Sequence, residues 1–169
     1  MIVIRHEQPE DIAVIHQIVA QAFGRPAEAN LVDALRRNGK AILSLVADDN
    51  GRVVGHILFS SVVINTGEKL FSGIGLAPLA VSPERQNEGI GSLLVEQGLR
   101  ECREAGHSFV VVLGHPHYYP RFRFVPASRY NVTSEYDVRD EVFMIQELQQ
   151  GSLLGIAGTA KYQNEFNEV

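Results

Sequence analysis

Cysteine is almost absent: Cys102 is the only one in 169 residues. An internal disulfide framework is therefore excluded, and a cysteine-built zinc site is not expected. No segment approaches the roughly 18 consecutive apolar residues of a membrane-spanning helix. The opening MIVIRHEQPEDIAVIHQIV has no long apolar run followed by a small-residue cleavage site. There is no acidic tail, no internal repeat, no low-complexity tract and no linker-like stretch. Positive charge is also short, with 15 Lys and Arg against 20 Asp and Glu for a net −5. That balance speaks against a general affinity for nucleic acid or an anionic membrane. The absences together leave a cytoplasmic, reduced, soluble protein without a metal as the expectation.

What is present suits a packed globule. Hydrophobic residues make up 45% and charged residues 21% of the chain, and this length can bury a core of its own, so residues 1–169 are expected to form one domain. Met1–Arg5 reads as a short strand. Ile12, Ile15, Ile18, Val19 and Phe23 then recur at helical spacing, and Leu31 with Leu35 marks a second helix ended by Gly39. AILSLVAD and RVVGHILFSSVVI flank Asn50-Gly51, a hairpin signal, and NTGEK turns the chain into LFSGIGLAPLAV. This predicts an antiparallel meander. After Pro83 the period becomes helical, with Ile90, Leu94, Val95, Leu99 and Cys102 on one face, and SFVVVLG follows as a strand buried on both sides. The strand–helix–strand unit predicts a parallel pair with a right-handed crossover. RFRFVPA, EVFMIQEL and GIAGTAKY are expected as further strands.

The stretch PLAVSPERQNEGIGSLLVEQGLRECREAG, beginning at Pro78, carries the chemistry. Gly89 and Gly91 stand at the mouth of a helix, where glycine admits close backbone approach and the first turn offers unsatisfied N–H groups and partial positive charge. Such a turn can cradle a phosphate, or it can simply be a tight corner. A Walker A loop is excluded because Ser-Leu-Leu follows Gly91. A dinucleotide fingerprint lacks its third glycine, since Leu94 stands there. A fold binding NAD or ATP is accordingly disfavoured.

Gln86-Asn87-Glu88-Gly89-Ile90-Gly91 resembles the Q/R-x-x-G-x-G/A motif of the GNAT superfamily of acyl-CoA-dependent N-acyltransferases. The strand before it and the helix after it also match, as does the order strand, two helices, hairpin in the first 65 residues. YYPRFRF resembles the family's Y-x-x-x-G-F element. The resemblance covers nearly the whole chain. It implies a mixed α/β fold: a single GNAT-like domain whose central, mostly antiparallel twisted sheet contains one parallel strand pair around a cofactor cleft, flanked by helices.

By the same resemblance, the pyrophosphate of acetyl-CoA would lie on the backbone amides of Gln86, Asn87, Glu88, Gly89, Ile90, Gly91 and Ser92. The pantetheine would bond to a splayed, bulged strand at Leu79, Ala80 and Val81, with the Val81 amide as oxyanion donor. The implied reaction is transfer of an acetyl group to a primary amine of a small molecule or peptide, by direct attack on the thioester. Counting back from Phe124 places the family's acid at Tyr119, with Tyr118 as the neighbouring alternative. Glu28, His56, His115 and His117 are the candidates for the base, with Glu28 on the helix that lines the family's acceptor cleft. Two histidines without a third nearby ligand do not make a metal site. Homodimers are common in the family. Two departures stand out: Arg123 replaces the glycine before the phenylalanine, and GHPHYY replaces the family's Asn–Ala spacing. Both motivate an alternative, an acyl-CoA-binding sensor or partner module without turnover.

Overall fold

The computed structural model describes residues 1–169. In chain order the strands are β1 (Ile2–His6), β2 (Ala41–Asp49), β3 (Arg52–Asn65), β4 (Leu70–Val81), β5 (Phe109–Leu113), β6 (Val125–Pro126), β7 (Val132–Ser134), β8 (Phe143–Glu147) and β9 (Gly158–Lys161). The helices are α1 (Ile12–Phe23), α2 (Ala27–Arg37) and α3 (Ile90–Glu104). The fold is mixed α/β. The strands hydrogen-bond in the order β1-β2-β3-β4-β5-β8-β6, and β9 pairs with both β3 and β7.

The first compact unit comprises Met1–Phe59, Ala77–Leu99 and Asn164–Val169. β1 lies antiparallel to β2 from Ile2 opposite Asp49 to His6 opposite Leu45. The β2–β3 hairpin turns where expected, through Asn50 at φ 52° and Gly51 at φ 94°, the pair of left-handed residues that follows the twist of the strands. Ile15, Ile18 and Val19 of α1 and Leu31, Val32 and Leu35 of α2 form one buried cluster with Val46, Leu58 and Ala80. Leu31 and Leu35 of the predicted α2 face are thus covered, as are Ile15, Ile18 and Val19 of the α1 face, whereas Ile12 and Phe23 at the two ends of α1 are exposed. Pro9 falls in a short 3-10 turn, Pro9–Asp11, ahead of α1.

The second unit comprises Ser60–Leu76 and Arg100–Gln163. Here β4 pairs in parallel with β5, at Ile74–Val110 and Gly75–Val111, and the antiparallel β8 lies on the other side of β5. Phe109, Val110 and Val111 are fully buried, as a run apolar on both faces requires. A second, short parallel pairing joins β7 to β9. RFRFVPA is not a continuous strand. Tyr119–Phe122 forms a 3-10 turn with Pro120 in its first positions and Arg123 at φ 75° as its end, and only Val125–Pro126 pairs, with Ile145 and Met144 of β8. Proline sets the turn's φ and removes a ladder donor, which overrides the β propensity of the two phenylalanines.

Candidate active site

β4 outruns its parallel partner. The ladder to β5 consists of Ile74–Val110 and Gly75–Val111, yet β4 continues to Val81, and Pro78 has no N–H to give to any ladder. On the β3 side the strand end is tied by the Ser82 N–H donating to Val54 O at 2.9 Å. On its other edge, Leu79, Ala80 and Val81 lack a strand partner. Ala80 is buried in the core with α1 and α2, while Leu79 and Val81 are half-buried.

Beyond Val81 the chain makes a 3-10 turn, Pro83–Arg85, and then the glycine turn. Asn87 at φ 65° and Gly89 at φ 86° are both left-handed. Left-handed residues interspersed in such a turn swing successive amides toward one side and make an anion-binding concavity. A Cβ on Gly89 would meet nothing within 4 Å, so glycine is needed there for its φ, not for room. The Leu93 N–H donates to Gly89 O at 3.1 Å; the amides before it precede the ladder of α3 and form its positive end.

Side chains hold the turn in place. Gln86 Nε2 donates to Val81 O at 3.1 Å. Arg85 Nη1 pairs with Asp49 at 2.9 Å and its Nε with Glu88 at 3.2 Å. Gly55 of β3 lets α3 sit close: a Cβ there would lie 3.1 Å from Leu94 Cδ1 and 3.3 Å from both Ile90 Cγ2 and Ala80 O. All the predicted cofactor residues from Leu79 to Ser92 therefore fall on one strand end, one turn and one helix mouth.

Tyr119 lies in the second unit, 7% exposed. It stands edge-on to Tyr118 at 5.1 Å and to Phe124 at 5.7 Å between ring centroids, over Gly114, where a Cβ would enter its ring. Burial pushes its phenol well above the ordinary value, so it stays protonated at neutral pH. Tyr118 is half-buried beside it. Arg123 adopts φ 75° and is exposed. It thus keeps the backbone conformation a glycine would provide and projects its side chain outward.

The base candidates separate sharply. Glu28, expected to be solvated if it had no role, is buried in the first turn of α2. It is held in a fork by Arg25, with Nε to Oε1 at 2.9 Å and Nη2 to Oε2. His56 is wholly buried. Its Nε2 lies 2.8 Å from Ser44 Oγ, which donates to Glu7 Oε1 at 2.7 Å, and Glu7 is in turn gripped by Arg36. Because the Ser44 hydrogen goes to Glu7, His56 must donate from Nε2, leaving Nδ1 as a bare acceptor without a partner. Burial pushes the imidazole down to about 4, against the opposing pull of Glu7. The 3.8 Å approach of Nε2 to Glu7 is therefore no ion pair at neutral pH. Burial also opposes ionisation of Glu7, but hydrogen bonds from Arg36 and Ser44 outweigh it and hold the carboxyl below its usual range. His115 and His117 are exposed, and no group of three or more potential ligands could hold a metal. No helix is long and apolar enough to cross a membrane.

Glu7, Ser44 and Arg36 were not legible as partners of His56. With His56 they come from four separate segments, and no spacing in the sequence links them.

Residues 3–127 match the acetyltransferase (GNAT) domain family. The uncharacterized N-acetyltransferase YhbS of Escherichia coli K12 is 37% identical over 165 residues, 97% of this chain and 98% of that one. The uncharacterized N-acetyltransferase YjhQ of the same strain is 40% identical over 120 residues, 70% and 66% of the two chains. Among solved structures, E. coli YhbS in complex with CoA superposes with a TM-score of 0.92 at 35% identity, covering 98% of this chain and 92% of that one. A GNAT acetyltransferase from Brucella melitensis in complex with acetyl-CoA gives a TM-score of 0.82 at 35% identity, covering 98% of both.

Proposed function

The chain belongs to the GNAT family and is an acetyl-CoA-dependent N-acetyltransferase; from that premise we propose that it acts as one domain over residues 1–169 and acetylates the primary amine of a small molecule or peptide. The observation that supports the donor side of this reading is the left-handed pair Asn87 and Gly89 at the mouth of α3, directly after a strand end with one unpaired edge. The amides from Gln86 to Ser92 would hold the pyrophosphate, and Leu79, Ala80 and Val81 the pantetheine.

In the proposed reaction the amine lone pair attacks the thioester carbon, and the carbonyl oxygen becomes an oxyanion that accepts from the Val81 N–H. The tetrahedral intermediate then expels the thiolate, which takes the phenolic proton of Tyr119. The amine attacks in its neutral form, and the single proton it loses goes to Glu28. A buried carboxylate needs a cation, and Arg25, more than half exposed, fills that place in the free enzyme.

Calorimetric titration of acetyl-CoA into the wild type and a Gly91→Glu variant tests the donor site. Saturable one-to-one binding, abolished by an anion in the cradle, is expected. Unimpaired binding by Gly91→Glu would overturn the cradle. An amine panel read by free-thiol release then identifies the acceptor class, and Glu28→Gln should lose turnover without losing acetyl-CoA binding.

A further inference from the structure

From Ala105 to Ser134 the chain contains no aspartate or glutamate, although it carries 20 of them elsewhere. The same stretch holds Arg121, Arg123 and Arg129 with His107, His115 and His117. An acidic protein thus keeps the segment around Tyr119 free of carboxylate side chains while placing three arginines on it. Three arginines elsewhere are each matched to two carboxylates: Arg5 to Asp11 and Asp48, Arg36 to Glu7 and Asp33, Arg85 to Asp49 and Glu88. Arg121 is not. Its Nε donates to Tyr118 O at 3.0 Å, its Nη2 to His117 O at 3.4 Å, and its Cζ lies 4.6 Å from the centre of the Tyr118 ring.

That arrangement orients the guanidinium without neutralising it. Two backbone carbonyls and a ring face fix its plane, while both Nη1 hydrogens and one on Nη2 stay available along its outer edge. This edge matches two oxygens of a carboxylate or phosphate. Because the side chain is already ordered, an incoming anion bears little of the usual cost of immobilising it. Arg123, exposed two residues on, adds a second cation. Tyr118, which carries the stack, is edge-on to Tyr119, so the free edge belongs to the same aromatic cluster as the proposed acid.

We propose that Arg121, reinforced by Arg123, seats an oxyanion carried by one of the enzyme's substrates: a phosphate of the acyl donor, or a carboxylate or phosphate on the acceptor amine. The inference rests on the acyl-transfer reading only for which molecule carries the anion. In either case the interaction is a bidentate, charge-assisted pair that weakens with added salt.

The test uses the full chain as wild type, Arg121→Gln and Arg121→Lys. Arg121 is exposed, and its replacement should leave the thermal midpoint nearly unchanged. CoA and 3′-dephospho-CoA are titrated calorimetrically. In parallel the Arg121 Nε–Hε resonance is followed as inorganic phosphate or glutarate is added, to free and to CoA-saturated protein. If the donor carries the anion, the wild type prefers CoA over the dephospho form by roughly tenfold or more, and Arg121→Gln erases the preference. If the acceptor carries it, the two donor forms bind alike, and the Arg121 resonance of CoA-saturated protein moves saturably with phosphate or glutarate. Arg121→Lys should retain only part of either effect, and full retention would overturn the role of the fork. Equal binding of the donor forms together with an unmoved resonance in every titration would overturn the proposal. Failure of the wild type to bind either donor form would sink the donor site instead, and the anion titrations of free protein would still decide on Arg121.

Discussion

Four non-glycine residues have positive φ, and three of them are asparagines; the fourth is Arg123. Asparagine tolerates the left-handed region better than other non-glycine residues, whereas a long side chain with a Cβ meets its full steric cost. Arg123 nevertheless adopts a left-handed φ that glycine takes without steric cost. Arg123→Gly should therefore stabilise the fold by about 0.5–1 kcal/mol, measured as a higher urea midpoint at unchanged slope. A lower midpoint would mean that the left-handed turn is not strained. The same geometry removes Arg123, one of the two departures behind the sensor reading, as a reason for it. Tyr119→Phe should lower kcat roughly a hundredfold or more with little change in acetyl-CoA affinity. Since burial holds the phenol above its ordinary 10.0, the wild-type rate should show no alkaline decline from this group up to pH 9.5. A decline near pH 9 that vanishes in Tyr119→Phe would contradict that assignment.

At the scale of elements, periodicity and turn chemistry made most of the fold legible. The faces of α2 and α3, the middle of the α1 face, the Asn50-Gly51 hairpin and the buried β5 each follow from residue pattern alone, while Ile12 and Phe23 at the ends of α1 are exposed. What failed was the segment from Tyr119 to Pro126, where two prolines and a left-handed residue decide the conformation and alternating aromatics mislead. The polar chain from Arg36 through Glu7 and Ser44 to His56 was equally hidden, because it joins the ends of β1 and α2 to the middles of β2 and β3. It has a measurable consequence. Above pH 6.5 His56 is neutral in both folded and unfolded chains, so its contribution to stability is complete. Between pH 6.5 and about 4 the unfolded chain takes up a proton that the folded protein refuses, and stability falls as the pH is lowered. Below that window both states are protonated and this loss stops. The full loss is on the order of 3 kcal/mol. His56→Gln should flatten the fall of urea stability between pH 6.5 and 4, although the variant is less stable at pH 7. An unchanged slope would show that the imidazole is not held neutral.

For the whole molecule, the two compact units raise the matter of cooperativity. Domain boundaries normally fall in exposed linkers crossed by few contacts. Here the division falls between Phe59 and Ser60 within β3, between Leu76 and Ala77 within β4, and between Leu99 and Arg100 within α3. Each cut severs a regular element, so neither unit can lose its structure without breaking ladders or helical bonds that continue into the other's residues. The absence of any linker-like composition in the sequence points the same way. Heating should therefore give a single transition whose calorimetric and van't Hoff enthalpies agree. Acetyl-CoA at about a hundred times its Kd should stabilise the folded chain by about 2.7 kcal/mol and raise that one transition by roughly 5–10 °C. Two resolved transitions, or a ligand that shifts only part of the unfolding enthalpy, would mean that residues 1–169 fold as separable parts.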